Sequence, residues 1–200
     1  VALLKDGASA RRGEGIFAFM FRSTFNEYKN AFQIEKTRLK RNEKSVFSIQ
    51  NKFFIALFRS IVIGTVIYNV GSINALICYL ISALISKILL ETINYVEHYG
   101  LIRIEGKPVK PRHSWNSNTF ISSAFTFNLT RHSSHHEKAN LPFWKLIPYP
   151  EAPHMPFGYL STFFIALFIP YFYRKIMAKK LLDWDKRYAS DEERALIALL

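Results

Sequence analysis

The run FFIALFRSIVIGTVIY (Phe53–Tyr68), the link NVGS (Asn69–Ser72) and the run INALICYLISALISKILLETI (Ile73–Ile93) decide how the rest of the sequence is read. Each apolar run is near the roughly 17 to 25 residues that cross a bilayer as a helix. The link carries no cation and has the length of a tight turn. The pattern predicts a transmembrane helical hairpin, and the flanking charges orient it. Residues 1–52 hold eleven Lys and Arg against five acids, and residues 96–200 hold fourteen against nine. Both flanks therefore belong on the positive, cytoplasmic side and the link on the other. Arg59 and Lys87 lie inside the runs, about six residues or roughly 9 Å from that cytoplasmic end, so long side chains there reach the headgroups. Cys78, in the middle of the second run, reads as a small apolar residue.

Composition agrees. Half of the 200 residues are hydrophobic, with 18 Phe and 10 Tyr, yet the formal net charge is +12. That pairing argues against a disordered basic tail and an ordinary cytosolic globule, and a single cysteine against a disulfide-stapled secreted module. A nucleic-acid binder gathers its cations on one face, whereas here they are banked on either side of an apolar hairpin. The predicted fold is an all-α, polytopic membrane helical bundle; two buried helices of a soluble bundle are the competing reading.

Outside the hairpin, Gly15 to Lys44 interleaves aromatic residues (Phe17, Phe19, Phe21, Phe25, Tyr28, Phe32) with Lys36, Arg38, Lys40 and Arg41. It reads as an amphipathic helix on the cytoplasmic leaflet. A third apolar stretch, residues 159–173, is interrupted by Pro170 and is either a short span or a re-entrant or interfacial segment. Ser190 before Asp191 reads as a helix N-cap. The expected organisation is one domain: a cytoplasmic amphipathic segment (1–52), the transmembrane hairpin (53–95) and a cytoplasmic histidine-motif region (96–200) holding the interfacial segment. The opening on Val1 and polar loop residues reads as the latter part of a longer chain.

Five of the six histidines lie between His98 and His136. In Arg131-His-Ser-Ser-His-His136, a helix would put His132, His135 and His136 on one face, where imidazoles converge on a metal. Protonated, three such rings would repel; a metal engages their lone pairs instead. His98, at the exit of the second run, is the fourth candidate ligand. It shares a helix face with Glu91, which is either an outer partner of a metal-bound imidazole or one half of a Lys87–Glu91 pair. Imidazole donors select against Ca and Mg and leave Zn, Fe, Cu or Ni. No His-Glu-x-x-His box or Cys pair points to a hydrolytic zinc site.

Three elements, Asn94-Tyr-Val-Glu-His-Tyr-Gly-Leu101, His113-Ser-Trp-Asn-Ser-Asn118 and Leu129-Thr-Arg-His-Ser-Ser-His-His136, together resemble the C-terminal half of the integral-membrane alkane 1-monooxygenases, members of the fatty-acid desaturase and hydroxylase superfamily. The resemblance extends over nearly the whole chain. It implies two non-haem iron ions, held by His98, His132, His135 and His136, that use O2 to hydroxylate the terminal carbon of a medium-chain alkane. It also implies electrons from rubredoxin, itself reduced by an NAD(P)H-dependent reductase, and a metal site on the cytoplasmic side of the inner membrane. His113 matches a motif position that orders a loop with Trp115 and Asn116, and His154 reads as structural. Ser134 stands where the family commonly has Asp. The family's two earlier histidine boxes are absent, so the four ligands are fewer than half of the roughly nine implied, and the polypeptide by itself is expected to be inactive. Lys107, Lys110, Arg112, Lys138 and Lys145 would steer an acidic rubredoxin, or equally attract anionic lipid. A xylene-type methyl hydroxylase, a fatty-acyl desaturase and a non-catalytic truncated membrane protein are the alternatives.

Overall fold

The computed structural model describes residues 2–138 and 140–199. Among these residues seven α-helices follow one another: α1 (Ile16–Arg41), α2 (Lys52–His98), α3 (Phe120–Phe125), α4 (His132–Glu137), α5 (Tyr159–Phe168), α6 (Pro170–Arg187) and α7 (Asp191–Ile197). Among the described residues there is no strand, only an isolated bridge between Asn116 and His154. The chain divides into two compact units, residues 24–90 and residues 1–23 with 91–200.

In the unit of residues 24–90, α2 decides the architecture. Its 47 residues would make a rod of about 70 Å, more than twice the roughly 30 Å hydrocarbon core of a bilayer. Ser72, at φ 69° and ψ −177°, breaks it in two. That conformation is close to glycine-only and costs on the order of 1–3 kcal/mol, so the surrounding packing must impose it. Gly71 permits the bend, because a Cβ there would lie 2.6 Å from the Ala75 Cβ. The two arms run antiparallel. One groove is lined by Ser60 to Tyr68 on the first arm and by Leu76 to Ala83 on the second, and the Gly64 backbone approaches Leu76 closely. The sequence predicted this hairpin with a turn over Asn69–Ser72; the break is confined to Ser72, and Asn69 to Gly71 remain helical.

None of the most apolar window of α2 is buried. Ile61, Val70 and Leu84 are all more than half exposed. A soluble bundle of these residues would cover such a surface; the exposed arms have instead the length and composition of membrane-crossing helices. The arm starts at a fixed point. The Asn51 side-chain oxygen accepts from the Phe53 and Phe54 amides, and the Glu35 carboxylate accepts from the Lys52 amide. The Arg38 guanidinium holds the Glu35 carboxyl down at about 2. Lys87, which the sequence sends towards headgroups, instead donates to Glu27 of α1. Arg59 is exposed. The aromatic residues Phe17, Phe21 and Phe25 of α1, spaced four apart, are also exposed, as an interfacial helix requires, whereas Phe19, which the sequence places in the same aromatic set, is buried on the opposite face.

The other unit has a core of aromatic residues with polar tips: Trp115, Trp184, Tyr95, Tyr99 and Tyr173, each at most 1% exposed. Tyr95 donates to the Glu14 carbonyl, the Trp115 indole to the Tyr99 carbonyl and the Trp184 indole to the Arg112 carbonyl. These bonds tie the end of α2, the loop after it and α6 into one body. Gly100 ends α2 at φ +69°, where a Cβ would sit 2.7 Å from Leu181. Arg12 donates a bidentate pair to Asp185 and caps the Gly100 carbonyl. Ser190 caps α7 in a reciprocal box with Glu193, as the sequence predicts. The third apolar stretch is α5, a break at Ile169 and the start of α6.

Candidate metal centre

His98 is the last residue of α2, and α4 delivers His132 and His136 one turn apart. The six residues of α4 cannot hold themselves helical in water, so their position depends on clamps. Asn116 supplies the main one. Its side-chain oxygen accepts from the Ser133 amide at 2.9 Å and its amide donates to the Ser133 hydroxyl at 2.6 Å. The Ser133 hydroxyl in turn donates to the Pro111 carbonyl. On the other side of the helix, Ser134 is buried and accepts from the Ile147 amide at 3.2 Å, and Arg131 donates to the Leu146 carbonyl.

Held in this way, three imidazole nitrogens converge. The Nε2 atoms of His98 and His132 are 3.1 Å apart, those of His98 and His136 3.4 Å, and those of His132 and His136 2.8 Å. Each Nε2 carries either a proton or a lone pair, so hydrogen bonding satisfies at most two of the three contacts. A cation satisfies all of them. Nitrogens about 2.1 Å from one ion stand roughly 3.0 Å apart at a right angle and roughly 3.4 Å apart at a tetrahedral one. The donor set fits a borderline transition metal and does not fit Ca or Mg.

The electrostatics prepare the rings for that role. Burial, reinforced by the neighbouring His136 ring, takes His98 down to about 3. Burial takes His132 well below the ordinary imidazole value, with His98, His136 and His135 adding to the effect. Burial and the His135 ring bring His136 to about 4. All three are therefore neutral near pH 7, with lone pairs available.

Of the residues singled out from the sequence, His98, His132 and His136 come together. His135 shares α4 but not this set; its ring lies 5.8 Å from that of His132 and 5.6 Å from that of His136. Glu91 is not the carboxylate at the centre. Seven residues before His98, it lies about 10 Å back along the helix, and Glu97 takes the place. Glu97 is 1% exposed, with Oε2 3.1 Å from His132 Nε2 and Oε1 accepting from the Tyr159 hydroxyl at 2.8 Å. Burial raises its carboxyl well above the ordinary range, against the Tyr159 hydrogen bond. Sequence spacing could not find this pair, because Glu97 neighbours His98 in the chain and Tyr159 lies 62 residues away. The only signal was an acid at the lipid-proximal end of a histidine motif.

His113 is buried and stands apart from the centre, its Nδ1 accepting from the Lys110 amide and its Nε2 2.8 Å from Glu193. Arg112 shares Glu193 through two bonds. Together they hold that carboxylate down at about 2 despite its burial. His154 pairs through its backbone with Asn116. Of the five cations considered for partner docking, Arg112 is thus engaged with Glu193 and Lys107 with Glu192.

Comparison with known proteins fits this geometry. Residues 3–149 match the family model described as fatty acid desaturase. An alkane 1-monooxygenase of Ectopseudomonas oleovorans is 33% identical over 92% of this chain and 47% of its own length. Alkane 1-monooxygenase 1 of Alcanivorax borkumensis is 34% identical over 92% of this chain and 46% of its own. The xylene/toluene monooxygenase hydroxylase component XylM of Pseudomonas putida is 34% identical over 96% of this chain and 52% of its own. The chain spans about half the length of these relatives. Its membrane hairpin, its converging histidines and a match over most of its residues make it a member of the fatty acid desaturase family.

Proposed function

We propose that this chain is part of a non-haem di-iron membrane monooxygenase that hydroxylates the terminal carbon of medium-chain alkanes with O2 and electrons from rubredoxin. The observation that carries the reading is the buried set of three imidazole nitrogens 2.8 to 3.4 Å apart. It occurs in a chain a third identical to proteins named alkane 1-monooxygenase. In this reading His98, His132 and His136 hold one iron. His135 serves the second, with donors from the part of the relatives' length that this chain does not span.

Iron bound there would supply the redox chemistry, in which two electrons from the donor and two protons let one oxygen atom of O2 enter the C–H bond and the other leave as water. The chain's own residues keep the imidazoles neutral by burial and fix their direction through α4 and its Asn116 clamp. Glu97, steadied by Tyr159, brings a negative charge to one side of the site once a cation favours its ionised form. The exposed apolar hairpin places the protein in the phase where an alkane dissolves. On the cytoplasmic face of the inner membrane, Lys110, Lys138 and Lys145 remain of the five cations to attract an acidic electron donor.

The test is iron quantitation on the full-length membrane protein, followed by product analysis with alkanes, O2 and reduced rubredoxin. Retained iron and 1-alkanols are the expected results; a protein that holds no iron overturns the reading. A xylene-type methyl hydroxylase is the second reading, raised by the 34% identity to a xylene/toluene monooxygenase hydroxylase component. Benzylic alcohols without 1-alkanols would select it.

A further inference from the structure

We propose that the corner between α5 and α6 is a docking surface for an anionic leaflet, with Lys175, Lys179 and Lys180 clasping acidic phospholipid headgroups. The surface changes character along the chain. Phe164, Phe168, Ile169 and Tyr171 are each more than half exposed and make an apolar knob at the corner. Immediately after it, Tyr171, Phe172, Lys175, Ile176, Lys179 and Lys180 line an open groove of about 570 Å³.

Helix α6 has no use for these side chains internally. Its buried face is Tyr173, Met177, Leu181 and Trp184, spaced four, four and three residues apart, and the lysines fall outside it. Among the described residues, none of the three lysines has an ion-pair partner. The one acid of the groove, Asp183, is turned to Arg187 at 2.7 Å. The groove therefore presents three uncompensated ammonium groups beside aromatic rings.

Distance selects the occupant. From Phe172 the rise to Lys175 is about 4.5 Å and to Lys180 about 12 Å. The headgroup layer of one leaflet is roughly 5 to 8 Å thick, and a lysine side chain reaches several ångströms back towards it. With the aromatic corner at the hydrocarbon boundary, the ammonium groups fall at phosphate depth, the order in which aromatic and basic residues are layered at membrane interfaces. An acidic protein would match the charge but would leave the Phe164–Phe168 knob uncovered.

The experiment uses the full-length protein in bilayers of phosphatidylcholine, titrated with spin-labelled phosphatidylglycerol, and reads the selectivity for the labelled lipid at the protein surface. K175Q, K179Q and K180Q should each lower the relative association constant on the order of fivefold at low salt. The combined variant should abolish the α6 share of the selectivity, K175R/K179R/K180R should keep it, and raised salt should mimic the loss. As the charge-matched control, K36Q/K40Q/K44Q should leave the α6 effect in place. Unchanged selectivity in the combined variant overturns the proposal. So does disappearance of the α6 effect in the K36Q/K40Q/K44Q background, or binding of a soluble polyglutamate peptide that the combined variant loses while its lipid selectivity persists.

Discussion

Tyr159→Phe removes a single oxygen atom and tests how the centre is held. In the structure that hydroxyl donates to Glu97 Oε1 at 2.8 Å, and Glu97 is 1% exposed, so water does not replace the lost donor. A hydrogen bond to a buried charged group contributes about 1.5–3 kcal/mol. Because burial favours the protonated carboxyl, the ionised form that Tyr159 supports is the one that coexists with a cation beside His132. The loss should therefore appear in metal binding: about 10- to 150-fold weaker retention if the whole contribution is felt there, with little change in the melting temperature of the metal-free protein. Competition against a graded series of chelators, with bound iron measured after equilibration, reads this directly. Glu97→Gln should weaken retention by a comparable 10- to 100-fold, the usual cost of losing a partner of a ligating imidazole. If both act along one path, the double variant should lose little more than Glu97→Gln alone. Full metal retention in Tyr159→Phe, or additive losses in the double variant, would refute the argument.

Four further outcomes follow from particular contacts. His98 and His136 titrate in the fold at about 3 and about 4, below the ordinary imidazole value near 6.5, and His132 is also well below it. The unfolded chain therefore binds more protons in that window, and the metal-free protein should lose stability as pH falls from about 6.5 towards 3, by up to about 1.4 kcal/mol per pH unit for each ring, with a plateau above; denaturation at graded pH checks the slope. Glu193→Ala strands Arg112 and His113 and should cost about 3–5 kcal/mol in a thermal or denaturant melt, without altering chelator competition. Gly100→Ala drives a Cβ to 2.7 Å from Leu181, whereas Gly13→Ala meets nothing within 4 Å at a similar positive φ; the first should destabilise clearly more than the roughly 1 kcal/mol of the second. Asn116→Ala removes the clamp on Ser133 and should lower both stability and metal retention, measured on the same sample, because it strands the buried Ser133 amide and leaves the Ser133 hydroxyl only its bond to the Pro111 carbonyl.

Local pattern carried much of the architecture. A hairpin is visible in a sequence because lipid acts on every residue alike: two unbroken apolar runs and a cation-free link suffice, with no knowledge of what lies beside them. The N-cap at Ser190 is equally local, since its partner Glu193 is three residues away. The break at Ser72 was narrower than the predicted turn, because the helix keeps its hydrogen bonds until packing between the arms forces one residue out of line.

The centre divides in the same way. Sequence by itself determined that histidines at 98 and 132–136 would meet near the end of a span, because one helical turn aligns His132 with His136. It could not say which neighbours complete the set. Tertiary structure decided that His113 is paired with Glu193, that His135 stands outside the three converging nitrogens, and that the carboxylate at the site is Glu97 rather than Glu91. The reason is physical: helical periodicity fixes the angle of a side chain about its own axis, while the distance between side chains on different elements is set by packing between residues as far apart as Glu97 and Tyr159.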